Sequence, residues 1–471
     1  MNDFAGRWCT TFGRMDLEQS GTHVKGVYQA LEGIPCQIEG QVRSDVLKFD
    51  YREPKARGTG SFRLQRYGMF SGQWREDKTG NEGVWHGYRG FDGVWNTTFG
   101  LLRLIQEPDR VVGIYELQEG GASLEGQLRS SKTPAKASRA NGSEKSADAA
   151  QDTTGTTQGV ASRLAFRYQG STSQGEGWFE LDESQWCFHG KWRVARARSW
   201  EPWVGQRVFP TANLKWLVVL EAHWQRVLQE ENYSLGGMLR EFFARVPGLE
   251  VRHRFFASEA DLESWCREIL YVPEPVVLVV AAHGTPEGLC GHRGILRPDA
   301  LTKTLRYANN VDVLHFSACY LGNGSDGGFA RSLCRELPFP ISGYAAYADW
   351  AASALVDFTY LDMILEHGLT PEEAAGQVKQ LLPFAGDRTS RQCPYPATRF
   401  RFWPAAGGRR PSAEIPPSIP RADENRVKKP ATDAPKKTAA SSPARTSTGQ
   451  QEKQRDKQSS AAPSPVWSFV V

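Results

Sequence analysis

Two residues able to do chemistry together close two apolar runs. His283 ends VVLVVAAHG (276–284), and Cys319 ends VDVLHFSAC (311–319), 36 positions later. A thiolate attacks acyl carbons, but an ordinary thiol is mostly protonated at neutral pH and needs a base beside it. Imidazole is the side chain whose ordinary pKa suits that task. The amides of Gly284 and Cys319 supply two N–H donors for the oxyanion of an attacked carbonyl, and a glycine there admits close approach. The chemistry is acyl transfer through a thioester, and it calls for neither a metal nor another cofactor.

The surrounding residues predict the frame that brings the pair together. From Leu214 the sequence alternates short apolar runs with amphipathic stretches. KWLVVLEAHW is followed by a helix over SLGGMLREFFARV, the strand LEVRHRFFAS and a helix from Ser258 to Leu270. After the strand ending at His283 come a helix over 298–308, the strand ending at Cys319, a helix over 328–337 and the strand ISGYAAY. A helix from Asp349 to about His367 and another starting at Thr370 complete the run. Thr370-Pro-Glu-Glu373 is a capping box with proline at the first helical position. Repeated βα units of this length predict a mostly parallel sheet with helices on both faces, and ligands of such sheets sit at the carboxyl ends of the strands.

These stretches resemble the caspase-like cysteine peptidases, and most closely their CHAT group. The resemblance rests on the strand ending His283-Gly284, on DVLHFSAC (312–319) against the family's DLVVLSAC, and on GLTPEEA (368–374) at a helix start. It covers roughly residues 214–386. It implies a Cys nucleophile, a His base and cleavage of a peptide bond in a protein or peptide substrate. Asp349 and Trp350 lie where the family builds part of its S1 wall, which would make them substrate-binding. The QACRG-like residues of caspases are absent, and Ser317 stands where metacaspases carry the Asp that reads a basic P1 residue. The competing class is a caspase-fold scaffold with a misaligned dyad that displays the rest of the chain.

The first half is a duplication. Trp8, Phe12 and Tyr28 match Trp95, Phe99 and Tyr115 at an offset of 87, and Tyr51, Trp74 and Trp85 match Tyr168, Trp192 and Trp203 after a jump of about thirty. The jump is the low-complexity stretch 131–160, read as a disordered loop. Period-two runs such as LKFDY, LAFRY and GWFEL between Gly-rich turns predict about six antiparallel strands per repeat. An up-and-down meander closing into a small barrel follows; its GxW…GxY rhythm resembles avidin- or lipocalin-like barrels. The organisation expected is therefore multidomain: β repeats over 1–91 and 92–208, an α/β peptidase over 212–404 and a disordered basic tail over 405–471.

Composition narrows the partners. The chain is +4 overall, with 12 Lys/Arg and 6 Asp/Glu from Ala405 onward, which leaves −2 for residues 1–404. The folded part thus carries no basic footprint for nucleic acid. No apolar run spans a bilayer and the N-terminus has no signal region, so no membrane is expected and the cytoplasm is the default compartment. None of the eight cysteines forms a CxxC pair. Gly322 to Gly327 matches GxGxxG, but it begins beyond the turn and follows a late strand, which argues against a dinucleotide site. The apolar end VWSFVV (466–471) is read as a docking peptide for a partner or a cover for a groove.

Overall fold

The computed structural model describes residues 3–29, 33–66, 68–108, 110–117, 120–130, 162–223, 233–291, 294–322 and 328–405. The 131–160 insert, the tail beyond residue 405, the VWSFVV end and residues 323–327 of the glycine-rich stretch lie outside them.

Each repeat is a closed antiparallel barrel of eight strands, β1 (Gly6–Thr10) to β8 (Glu82–Tyr88) and β9 (Gly93–Thr97) to β16 (Glu201–Val208). The expected six becomes eight because tight turns hide inside runs that read as continuous. At the first such turn Thr10 Oγ1 donates to the Gly13 carbonyl at 2.6 Å and accepts from the Phe12 amide at 3.2 Å. Thr97 repeats the motif with Gly100 and Phe99 at 2.7 and 3.1 Å. The barrels close where Cys9 faces Tyr88 and where Trp95 faces Arg207. Both lumens are filled by aromatics, which answers why the tryptophans recur at fixed spacing. One end of each is finished alike: Trp8 Nε1 donates to the Phe4 carbonyl and Trp95 Nε1 to that of Phe91, with Arg89 and Arg207 stacked on the indoles at 4.1 and 4.2 Å.

The second barrel packs on the α/β part. Its strand β11 (Arg110–Leu117) turns Val111 and Tyr115 into the lumen and Val112 and Ile114 outward, into the apolar cluster that also holds Leu262, Leu301 and Leu305. A strand apolar on both faces is buried on both. The buried Arg103 donates to Asn309 Oδ1 beside this contact.

The α/β part is a six-stranded sheet. In spatial order it runs β18 (Leu249–Phe256), β17 (Lys215–Ala222), β19 (Val276–Ala281), β23 (Val311–Ser317), β24 (Ile341–Tyr344) and β25 (Phe400–Trp403). The first five are parallel, while β25 returns antiparallel to β24. Strand β19 is central: Val276, Leu278 and Val280 pack under α2 (Glu259–Ile269), α3 (Asp299–Leu305) and α4 (Gly328–Glu336). Val277, Val279 and Ala281 pack under α1 (Leu235–Phe243), α5 (Trp350–Leu365) and α6 (Pro371–Leu381). Helix α6 begins with the expected box, Thr370 and Glu373 each capping the other's amide. The sequence reading missed β25 and a small three-stranded sheet, β20 (His283–Thr285), β21 (Gly288–Gly291) and β22 (Gly294–Leu296). None of the described helices is long and apolar enough to cross a membrane.

Candidate active site

Strands β19 and β23 are neighbours in register, Val279 beside His315 and Ala281 beside Ser317, and the Ala282 amide donates to the Ser317 carbonyl at 3.3 Å. Two residues further along each strand stand His283 and Cys319. The tips are in close contact: a Cβ placed on Gly284 would lie 2.0 Å from the Cys319 carbonyl oxygen and 3.0 Å from its nitrogen. The glycine expected to admit substrate thus admits the backbone of Cys319. His283 is exposed at the start of the β20–β21 hairpin, facing Cys290 across the ladder.

Gly284→Ala is expected to push Cys319 off its position, because the obstructing atoms are backbone. A displacement near 1 Å at a reacting group costs on the order of 10²-fold in rate. The rate of Cys319 alkylation by iodoacetamide in Gly284→Ala against wild type measures it, and a rate within threefold of wild type would contradict the contact.

Alternation along β23 sends Val313, His315, Ser317 and Cys319 to the α5 face. Cys319 Sγ there meets the loop after β24. It accepts from the Ala348 amide at 3.4 Å and lies 3.7 Å from the Ala348 carbonyl. Tyr320, in the left-handed region at φ 60°, donates its amide to the Ala346 carbonyl at 3.1 Å. Burial pushes the Cys319 thiol above its ordinary pKa, the Ala348 amide pulls it down, and the Asp357 carboxylate adds to the rise. The resting thiol is therefore protonated at neutral pH and needs a base to react.

The sign of that effect can be tested. Removing the negative charge in Asp357→Asn should favour the thiolate, so the pH midpoint of Cys319 alkylation by iodoacetamide should move to lower pH. A midpoint that stays put or rises would contradict it.

Behind Cys319 lies a buried polar cluster. Asp357, on α5 and 1% exposed, accepts from Ser317 Oγ at 2.6 Å and from the Tyr344 hydroxyl, and its Oδ1 lies 2.8 Å from His315 Nε2. His315 Nδ1 is 2.9 Å from Ser342 Oγ. His315 is thus structural, as its place inside a strand suggests. The sequence reading missed Asp357. It also missed Glu221, fully buried at the carboxyl end of β17, which accepts from Ser234 Oγ and from the amides of Leu235 and Gly236 at 2.7, 2.9 and 3.0 Å. The Glu221 carboxylate thereby holds the N-terminus of α1, with His253 Nε2 at 2.7 Å. The signal was available: a lone charge inside WLVVLEA and another inside WAASALVDFTY mark buried charges that must be paired.

Asp349 is the N-cap of α5, its Oδ1 accepting from the Ala352 amide at 3.0 Å, so its carboxylate serves the helix. Trp350 begins the helix and is exposed, its ring 6.2 Å from that of Tyr233. Gly322 packs against Trp403 and Ala345, which leaves that glycine a structural use. Among the described residues no group of three or more His, Cys, Asp or Glu side chains is disposed to hold a metal ion.

Fold and site together define a chain of two eight-stranded antiparallel barrels followed by a mixed sheet with helices, in which a Cys and a His stand at adjoining strand tips. No protein-family model matches the chain, and no curated protein does. Among solved structures it is similar to the crystal structure of caspase-1 from Spodoptera frugiperda, with a TM-score of 0.30 and 10% identity, over 41% of this chain and 86% of that one.

Proposed function

We propose that the α/β part is a caspase-like, CHAT-type cysteine peptidase that cleaves protein substrates through Cys319 and His283. The observation that carries the reading is the close approach of Gly284 to the Cys319 peptide, which puts imidazole and thiol on adjoining tips at the carboxyl edge of the sheet. In the first step Cys319 Sγ bonds to the scissile carbonyl carbon while its proton passes to His283. The oxyanion is met by the amides of Gly284 and Cys319. Collapse breaks the C–N bond, and the amine leaves with the proton from His283. Water then attacks the thioester, giving its proton to His283; the S–C bond breaks, the acid leaves, and the sulfur takes that proton back from His283. Neither a metal nor a cofactor is required by these steps. The barrels would recognise the substrate or sense the activating ligand, using the buried contact of Val112 and Ile114.

The second reading, a scaffold that does no chemistry, is favoured by one observation: Cys319 Sγ is engaged by the amide and the carbonyl of Ala348. A proteome-derived peptide library separates the two. New N-termini produced by the full chain and absent with Cys319→Ala support the peptidase; identical profiles leave the scaffold.

A further inference from the structure

We propose that the outer face of the first barrel, where it meets the chain entering β17, binds a neutral, hydroxyl-rich ligand of the oligosaccharide class. The inference uses neither Cys319 nor His283 and stands apart from the peptidase reading.

A groove of about 1100 Å³ lies over this face, with Asn213, two residues before β17, among its walls. Ligand sites favour such junctions between domains. Phe49 and Phe62 point into the lumen, so their neighbours along each strand face out. These neighbours form two rows across β5 (Val46–Arg52), β6 (Arg57–Arg66), β7 (Met69–Glu76) and β8. One row runs Asp50, Thr59, Arg75 and Glu82, and the next runs Lys48, Ser61, Gln73 and Val84. Thr59 and Ser61 on β6 are short, which leaves the middle of the floor low.

The duplication supplies its own comparison. Ser61 stands between Lys48 and Gln73; at the same place in the second barrel Trp178 stands between Ala165 and Lys191. Glu82 is matched by Trp200. Arg163 stacks on Trp178 at 3.9 Å, Arg193 stacks on Trp200 at 4.5 Å, and Arg193 is paired with Glu176. The second barrel thus covers this face with its own rings and engages its charges internally. The first leaves the face open. Among the described residues, the side chains of Lys48, Asp50, Arg75 and Glu82 have no hydrogen-bond or ion-pair partner.

Chemistry selects the occupant. The barrel is closed, so each strand under the groove has both its neighbours and no free edge can pair with the main chain of a peptide. Recognition falls to side chains. Their signs are mixed, with His23, Lys48 and Arg75 against Glu39, Asp50 and Glu82, and His23 Nε2 already lies 3.3 Å from Glu39 Oε1. A polyanion or a polycation would meet its own sign here. A hydroxyl both donates and accepts. A neutral ligand carrying many of them can use the carboxylates, the cations and the amides of Gln41 and Gln73 alike.

The test titrates the full chain against fluorescein-labelled maltohexaose, cellohexaose and chitohexaose, read by anisotropy. A hexapeptide of alternating Lys and Glu represents the competing class. At least one hexasaccharide should bind with Kd below about 1 mM, and more tightly than the peptide. Ser61→Trp installs the residue the second barrel carries at that place, so the fold accommodates it, and it should weaken sugar binding about tenfold or more by filling the floor. Arg75→Ala, at an exposed position that does not threaten the fold, should weaken binding about tenfold by removing a charged donor. No hexasaccharide bound below that limit, tighter binding of the peptide, or sugar binding indifferent to both substitutions would overturn the proposal.

Discussion

Cys319→Ala is expected to abolish cleavage and labelling by a thiol-reactive peptide electrophile, and His283→Gln to slow both by about 10²- to 10⁴-fold, the usual worth of a positioned general base. The two losses differ in kind. Without sulfur there is no acyl-enzyme. Without imidazole the thiol remains, and since burial holds it protonated, activity should recover partly at high pH as the thiolate forms unaided. Cys187→Ala, an exposed thiol on the second barrel, should leave both measurements unchanged. Labelling that survives in Cys319→Ala and disappears in Cys187→Ala would reverse the assignment.

The largest effect on stability is expected at Asp357. Its carboxylate is shared by Ser317, Tyr344 and His315 with almost no solvent contact. Asp357→Leu takes the shared acceptor from buried His315 and Tyr344 and from half-buried Ser317, and breaking a buried charged network of this kind costs about 3–5 kcal/mol. For a domain of this size that corresponds to a melting transition lower by roughly 10 °C. Asp349→Ala on the same helix removes a cap and should cost about 1 kcal/mol. Differential scanning calorimetry of the full chain reads both. A loss at Asp357 no greater than that at Asp349 would mean that the cluster is not a structural anchor. The cluster also bears on the proposed chemistry, since it fixes Ser317 two residues before Cys319 and α5 beside the loop that touches Sγ.

How much of this was legible in the residues varies with the kind of signal. The alternation of apolar runs and amphipathic stretches from Leu214 onward identifies the parallel strands and the six α-helices of the described residues, because a strand buried on both faces must be apolar throughout, as VVLVVA is. The Thr370 box marks a helix start to the residue. The strand count in the barrels fails for a physical reason. Hairpins closed by Thr hydroxyls and single glycines need no long polar loop, so Gly6–Thr10 and Gly13–Ser20 read as one run. The hairpin after His283 is missed because its three strands are only three or four residues long, too short for any period to show. The antiparallel β25 follows a stretch without pattern, and its pairing with β24 is tertiary.

The site divides the same way. Order and spacing along the chain pick out His283 and Cys319, since residues that end neighbouring strands meet at one edge. Gly284 is picked out too, but with a different use: its missing side chain makes room for the cysteine backbone. What sequence alone does not give is the loop that meets the sulfur. Ala348 has no chemistry of its own, and only the packing of α5 brings its amide to Sγ. The partners of Asp357 come from β23 and β24, which no local pattern joins.

The central claim is that the Cys319 sulfur becomes covalently acylated. The most direct measurement is peptide mapping of the full chain, quenched in acid while it turns over an activated peptide ester. The account predicts an acyl mass on the fragment that contains Cys319, released by hydroxylamine as a thioester is and absent when His283 is replaced by Gln under the same brief exposure. An acyl mass on another cysteine, or substrate consumed with no adduct at Cys319 under any quench, would contradict it.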